Sequence, residues 1–280
     1  MASGVDLPEK MPGCRWLLHV TFLVPGKELQ TFKPLPVFLT LVLFWFYRLT
    51  RRALRRVYLT LQPVNSRIRK LSIYLIFMLL GSFSLLTVLV HLFPLNPHDV
   101  EFSEEVQELS HSFLDGAMVL ISYPGYFPRS VLMIGVTALL LLLGRYYREA
   151  LFVALTSVSG VISTGIKLLI NRPRPAADLV NIVEQAEGMS FPSGHVTFYV
   201  MFFGFVALLS LVLKQVHRYI RTVTLVISLF MIFSVPLSRV YLGAHWFTDV
   251  LGGFLIGTTF LVILVILYLG PERDRQANSN

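Results

Sequence analysis

Long apolar runs alternate with short polar connections over most of the chain. Leu71–Phe93, Ala150–Ile170, Val196–Leu213, Thr222–Val240 and Trp246–Leu269 each hold about the 20 mainly apolar residues that a membrane-spanning helix needs. Ser130–Gly144 is shorter and is expected to be completed by Tyr146 and Tyr147, whose rings suit a membrane interface. The pattern predicts an all-α, multi-pass transmembrane bundle with a six-helix core over residues 71–270. An earlier run, Pro36–Tyr47, is too short to span by itself. It continues into Arg48, Arg51, Arg52, Arg55 and Arg56, which cover one helical face. It reads either as a partly inserted seventh helix or as a helix lying in the interface. Residues 1–70 thus form an N-terminal segment with a short apolar helix and a basic stretch, and residues 271–280 a tail. No repeat of fixed period divides the core.

One connection, 94–129, is long enough to carry its own structure. Phe102, Val106, Leu109, Phe113 and Ala117 recur at helical spacing, with Glu104, Glu105, Glu108, His111 and Asp115 on other faces. This predicts an amphipathic helix on the outer interface. The Glu104, Glu108, His111, Asp115 row has the residue types of a metal site, but a solvated helix face is the simpler reading. A lid or lateral gate for lipid tails is its functional version.

Composition agrees with the membrane reading. Of 280 residues, 55% are hydrophobic and 14% charged, and mean hydropathy is +0.68, outside the range of a soluble domain. The net charge of +8 comes without any aromatic-basic reading surface, so nucleic acid is not an expected partner. A single cysteine, Cys14, excludes an intrachain disulfide and a cysteine-built metal site. Trp16–Val24 is too short for a secretory signal, so insertion is expected to rely on the first spanning helix.

The charges also orient the helices. Residues 48–70 carry eight Arg or Lys and no acid, and the connections with Arg145 and Arg148, then Lys214, Arg218 and Arg221, are basic as well. Residues 94–129 hold six acids and one basic residue, and residues 176–191 three acids and none. The positive-inside rule puts the basic connections and the C-terminus in the cytoplasm. Residues 94–129, 171–195 and 239–245 then face the other side of a cell membrane.

Three polar islands lie on that opposite face, at the ends of apolar runs where charge is least costly. The first runs from Lys167 to Pro175 and includes Arg172 and Arg174. The second is Pro192-Ser193-Gly194-His195. The third is Ser238-Arg239, followed by His245 and Asp249. Lys167, Arg174 and Arg239 have the chemistry to hold phosphate oxygens. Ser193 is placed as an N-cap whose hydroxyl can also meet an oxyanion, and Gly194 admits a close backbone approach at a helix start. His195 is a candidate general acid. His245 and Asp249 are four apart on one helical face, so Asp249 can fix the histidine tautomer and leave the other ring nitrogen free to attack phosphorus. Arg172 either joins this site or contacts a headgroup. His91, His98 and His217 read as lone interfacial histidines. Trp246 and Phe247 read as aromatic belt and packing.

Lys-x6-Arg-Pro, Pro-Ser-Gly-His and Ser-Arg-x5-His-x3-Asp, in that order, resemble the three signatures of the type 2 phosphatidic acid phosphatase (PAP2) superfamily, in its membrane-integral branch. No signature position departs from the pattern. The resemblance implies a metal-independent lipid phosphatase without a cofactor. It implies a phosphohistidine on His245, supported by Asp249, with His195 protonating the leaving group. Lys167, Arg174, Arg239, Ser193 and the backbone at Gly194 would bind the phosphoryl group. Phosphatidate, lysophosphatidate, phosphatidylglycerol phosphate and polyprenyl diphosphate are the implied substrates. Two alternatives stand beside it: a non-hydrolytic lipid-phosphate binder or transporter, and a vanadate-dependent oxidation catalyst. The sequence leaves the lipid and the oligomeric state open.

Overall fold

The computed structural model describes residues 66–270. The Pro36–Tyr47 run, most of the Arg48–Lys70 cluster, Cys14 and the 271–280 tail lie outside the described residues. The described chain forms nine α-helices, α1 Ser66–Leu92, α2 Pro97–Gln107, α3 Ser112–Ser122, α4 Arg129–Leu143, α5 Tyr147–Leu155, α6 Val158–Ile170, α7 Gly194–Val212, α8 Arg218–Tyr241 and α9 Phe247–Leu269, and one 3-10 turn, Tyr123–Gly125. Among the described residues, five spans have the length and hydropathy to cross a membrane: Lys70–Leu92, Tyr147–Ile170, Gly194–Val212, Arg218–Tyr241 and Phe247–Leu269. A sixth is bent. Ser112–Gly125 and Arg129–Leu143 meet at 61° and qualify only together.

The bent span corrects one expectation. Tyr146 and Tyr147 do not extend the 130–144 helix. Gly144 ends it, with its N–H donating to Leu140 O at 3.0 Å, and Tyr147 opens the next helix. The missing length comes from the preceding helix instead. The expected single outer helix over 94–129 is likewise two helices. α2 starts at Pro97, with Asn96 accepting from His98 N at 3.1 Å. α3 is capped by His111, which accepts from Leu114 N at 3.2 Å.

The first of these two does not simply float at an interface. Phe102 packs on Phe247, ring centroids 4.4 Å apart, and Val106 packs beside Met118 and Tyr241. Leu109 and Phe113 are exposed, so only part of the predicted stripe finds a protein partner. The acidic row does not gather either. Asp115 accepts from the Tyr241 hydroxyl at 2.7 Å, and no metal-capable group of three His, Cys, Asp or Glu occurs among the described residues.

α7 is the hub. Its sequence is apolar on every side, as a helix buried among other helices requires, and it packs against α5, α6, α8 and α9. The α7–α9 contact depends on glycine. A Cβ on Gly253 would lie 2.7 Å from Ser193 O and 3.1 Å from Val196 Cβ, closer than atoms pack. The missing side chain lets the α9 backbone approach the start of α7, where the second polar island stands. Gly253→Val is therefore expected to destabilise the protein by about 1–3 kcal/mol through overpacking, and to lower activity by displacing Ser193. Thermal unfolding in detergent checks the first effect. An unchanged melting temperature would mean that the helices separate freely at this point.

Candidate active site

Lys167 stands in the last turn of α6. The helix stops at Asn171, which takes a left-handed conformation (φ 52°) and whose N–H donates to Lys167 O at 3.0 Å. Asparagine tolerates that backbone better than most residues, and the prolines that follow forbid more helix. Lys167 Nζ donates to Met189 O (2.5 Å) and Ser190 O (3.1 Å). Its stem passes Gly194, since a Cβ there would lie 4.0 Å from Lys167 Cε. The first and second islands thus meet.

Arg174 reaches the third. Its Nε donates to the carbonyls of Glu187 (3.1 Å) and Gly188 (3.0 Å), and its Nη1 donates to Ala244 O at 2.6 Å. Nη1 also lies 3.2 Å from His245 Nε2. A guanidinium has no acceptor, so Nε2 carries the lone pair and Nδ1 carries the proton. Burial, followed by the charges of Arg174, Lys167 and Arg239, holds the His245 pKa well below the usual histidine value, keeping the ring neutral. All three expected clamp cations therefore bear on this one imidazole.

The support of His245 departs from the expected direct bond. Asp249 Oδ2 is 3.6 Å from Nδ1, beyond hydrogen-bond reach. Ser190 Oγ lies beside both, 3.4 Å from Nδ1 and donating a hydrogen bond to Asp249 Oδ2. Asp249 Oδ2 also accepts from Trp246 N at 2.9 Å, and Oδ1 accepts from Arg172 Nη1 at 2.6 Å. Each carboxylate oxygen is thus satisfied, and its link to the ring at Nδ1 passes through a serine.

Arg172 is neither a headgroup contact nor a fourth clamp. It is 2% exposed and bonds Asp249, Asp99 Oδ2 (2.7 Å), Thr248 Oγ1 (2.7 Å) and Pro94 O (3.0 Å). Asp99 also receives the Thr248 N–H at 2.9 Å. Trp246 is buried, not part of an interfacial belt, and its indole N–H donates to Pro173 O at 3.2 Å. It fixes the loop that carries Arg172 and Arg174.

Ser193 occupies the N-cap position of α7 but makes no side-chain cap bond. Its hydroxyl, His195 Nε2 and Arg239 Nε are buried without a hydrogen-bond partner among the described residues. Unpaired buried polar atoms are costly and rare, so three of them in one candidate site mark a place for a polar ligand. The His195 ring meets Tyr126 edge-on at 4.6 Å. It also abuts Gly125, where a Cβ would stand 2.3 Å from His195 Cδ2. Tyr126 connects His195 to Arg239, which donates to its hydroxyl from Nη1 at 3.2 Å.

Ser190, Asp99, Tyr126 and Glu184, which pairs with Arg239 at 3.0 Å, were not indicated by the sequence. Ser190 and Glu184 sit in an irregular connection with no periodicity to assign them. Asp99 lies 73 residues from its arginine, inside a segment that reads as amphipathic.

Fold and site together define an all-helical membrane protein with a cationic, histidine-bearing centre at one end of its bundle. Residues 148–273 match the model of the PAP2 superfamily. A solved structure described as the first transmembrane PAP2 type phosphatidylglycerolphosphate phosphatase from Bacillus subtilis has a similar fold. The TM-score is 0.61 at 23% identity, covering 69% of this chain and 94% of that one. Aquifex aeolicus LpxE gives a TM-score of 0.44 at 23% identity, covering 60% and 93%. No curated protein matches the sequence.

Proposed function

We propose that the protein is a metal-independent phosphatase of membrane lipid phosphates that works through a phosphohistidine on His245. The observation that carries this reading is the set of unpartnered buried atoms, Ser193 Oγ, His195 Nε2 and Arg239 Nε. They share one candidate site with an imidazole nitrogen that carries a lone pair. The match of residues 148–273 to the PAP2 superfamily model supports a phosphatase, and the membrane-spanning helices support a lipid-borne substrate.

In this reading the phosphoryl group enters between Arg174, Lys167 and Arg239. Arg174 Nη1 moves from His245 Nε2 to a phosphoryl oxygen, freeing the lone pair. Nε2 attacks phosphorus, the bond from phosphorus to the lipid oxygen breaks, and His195 gives that oxygen a proton. The imidazole gains positive charge, which Asp249 stabilises through Ser190 and Nδ1–H. Water then attacks the phosphohistidine, His195 takes its proton, and the P–N bond breaks to release inorganic phosphate. Cations fixed around the equatorial oxygens stabilise the charge that develops. The charge map supports a site on the non-cytoplasmic side of a cell membrane.

The test is phosphate release by the purified protein in detergent, with EDTA present, from phosphatidate, phosphatidylglycerol phosphate and polyprenyl diphosphate. Release from at least one is expected. Tight lipid-phosphate binding without release from any of them would replace the hydrolytic reading with a binding or transport one.

A further inference from the structure

One of the three expected clamp cations already holds an anion. Arg239 Nη2 donates to Glu184 Oε1 at 3.0 Å and Nη1 donates to Oε2 at 3.2 Å. The guanidinium is 1% exposed and the glutamate side chain 16%. This two-pronged grip is also the geometry in which arginine meets two oxygens of a phosphate. A phosphoryl group that takes Nη1 and Nη2 therefore competes with the Glu184 carboxylate for the same two donors.

The surroundings allow an exchange. Glu184 belongs to the 171–193 connection, and its own N–H donates to Leu242 O at 3.1 Å. The backbone is tied to the end of α8 while the carboxylate extends to Arg239, so side-chain rotation alone removes it. Arg239 keeps the Tyr126 hydroxyl as a partner, and its Nε has none among the described residues. The guanidinium thus stays positioned when the carboxylate leaves.

We propose that Glu184 is a built-in phosphate surrogate, which holds Arg239 between turnovers and sets how tightly the site retains a phosphoryl group. This rests on the phosphatase reading above. Apparent affinity falls by the fraction of molecules in which Arg239 is free, so the surrogate weakens binding of substrate and product alike. Inorganic phosphate, the product with no lipid anchor to hold it, is displaced by a carboxylate that is always at hand. Glu184 acts through Arg239 and not on the reacting atoms, and is a positioning residue.

The experiment uses the full chain in detergent and two readouts. One is inhibition of lipid-phosphate hydrolysis by inorganic phosphate; the other is calorimetric binding of inorganic phosphate without substrate. Glu184→Gln keeps the shape and removes the charge, and is expected to tighten phosphate binding about tenfold and lower KM. In an Arg239→Gln background the same change should alter phosphate binding by less than about twofold, because the shared partner is gone. Unchanged or weaker phosphate binding in Glu184→Gln overturns the proposal. A gain that persists in the Arg239→Gln background also overturns it, since that is general charge repulsion and not exchange at one guanidinium. Glu184→Ala provides the same comparison if the glutamine variant does not accumulate. A native protein that neither cleaves lipid phosphates nor binds phosphate overturns the phosphatase reading itself. One that does both, with no tightening in the variant, overturns the surrogate alone.

Discussion

Replacing His245 with alanine is expected to cut phosphate release from a lipid phosphate by roughly 10⁴-fold or more, because the members of a nucleophilic unit act together. No second group can inherit the task. Lys167 is engaged with two backbone carbonyls, and His195 is committed to the leaving-group oxygen in the proposed reaction. Phosphate binding should survive within about threefold, since the clamp residues remain and the lost ring only accepts a bond from Arg174. Two measurements check this. Steady-state release should collapse while calorimetric phosphate binding persists. Rapid quenching with radiolabelled substrate should trap acid-labile, alkali-stable phosphate on the native protein and none on the variant. Normal turnover by the variant would end the phosphohistidine mechanism.

The second large effect concerns stability. Arg172→Met is expected to destabilise the fold by about 3–5 kcal/mol, the usual consequence of removing one member of a buried ionic group. The arginine lies between two carboxylates that are 2% and 0% exposed, Asp99 and Asp249. Without it, both face a low-dielectric interior uncompensated. Adding Asp99→Asn to Arg172→Met should recover part of the loss by removing one stranded charge. Thermal unfolding of the single and double variants in detergent reads this directly. A single variant that melts like the native protein would show that the arginine does not hold these segments together.

The extent to which the site was legible in the sequence follows from chain distance. Lys167 and Arg174, Ser193 to His195, and His245 with Asp249 are each set by spacing within one helix end or the loop beside it, so the residues themselves announce the arrangement. Arg172 could not be placed from sequence because its partners come from residues 94–99 and 248–249, on opposite sides of it in the chain. Ser190 was not legible because it lies 55 residues before His245 in an irregular connection, and only the fold brings its hydroxyl beside both His245 and Asp249. The helix count was legible from hydropathy, which measures composition. The division of the sixth span was not, because Tyr146 and Tyr147 offered at one end the length that α3 supplies at the other. Phe113 and Leu109 continued an apolar stripe that the fold interrupts at the break between α2 and α3, so periodicity there outlasted the helix that it described.

The 61° bend between α3 and α4 also shapes the lipid-facing wall of the bundle. A helix of 15 residues such as α4 rises roughly 22 Å, while the hydrocarbon layer is about 30 Å thick. The remainder comes from Ser112–Gly125, whose roughly 21 Å, inclined at 61°, adds about 10 Å along the axis of α4. The apolar surface on this wall therefore changes direction part-way across, and the turn falls beside Tyr126. The segment that completes the span is thereby also the one that leads directly into the ring packed against His195.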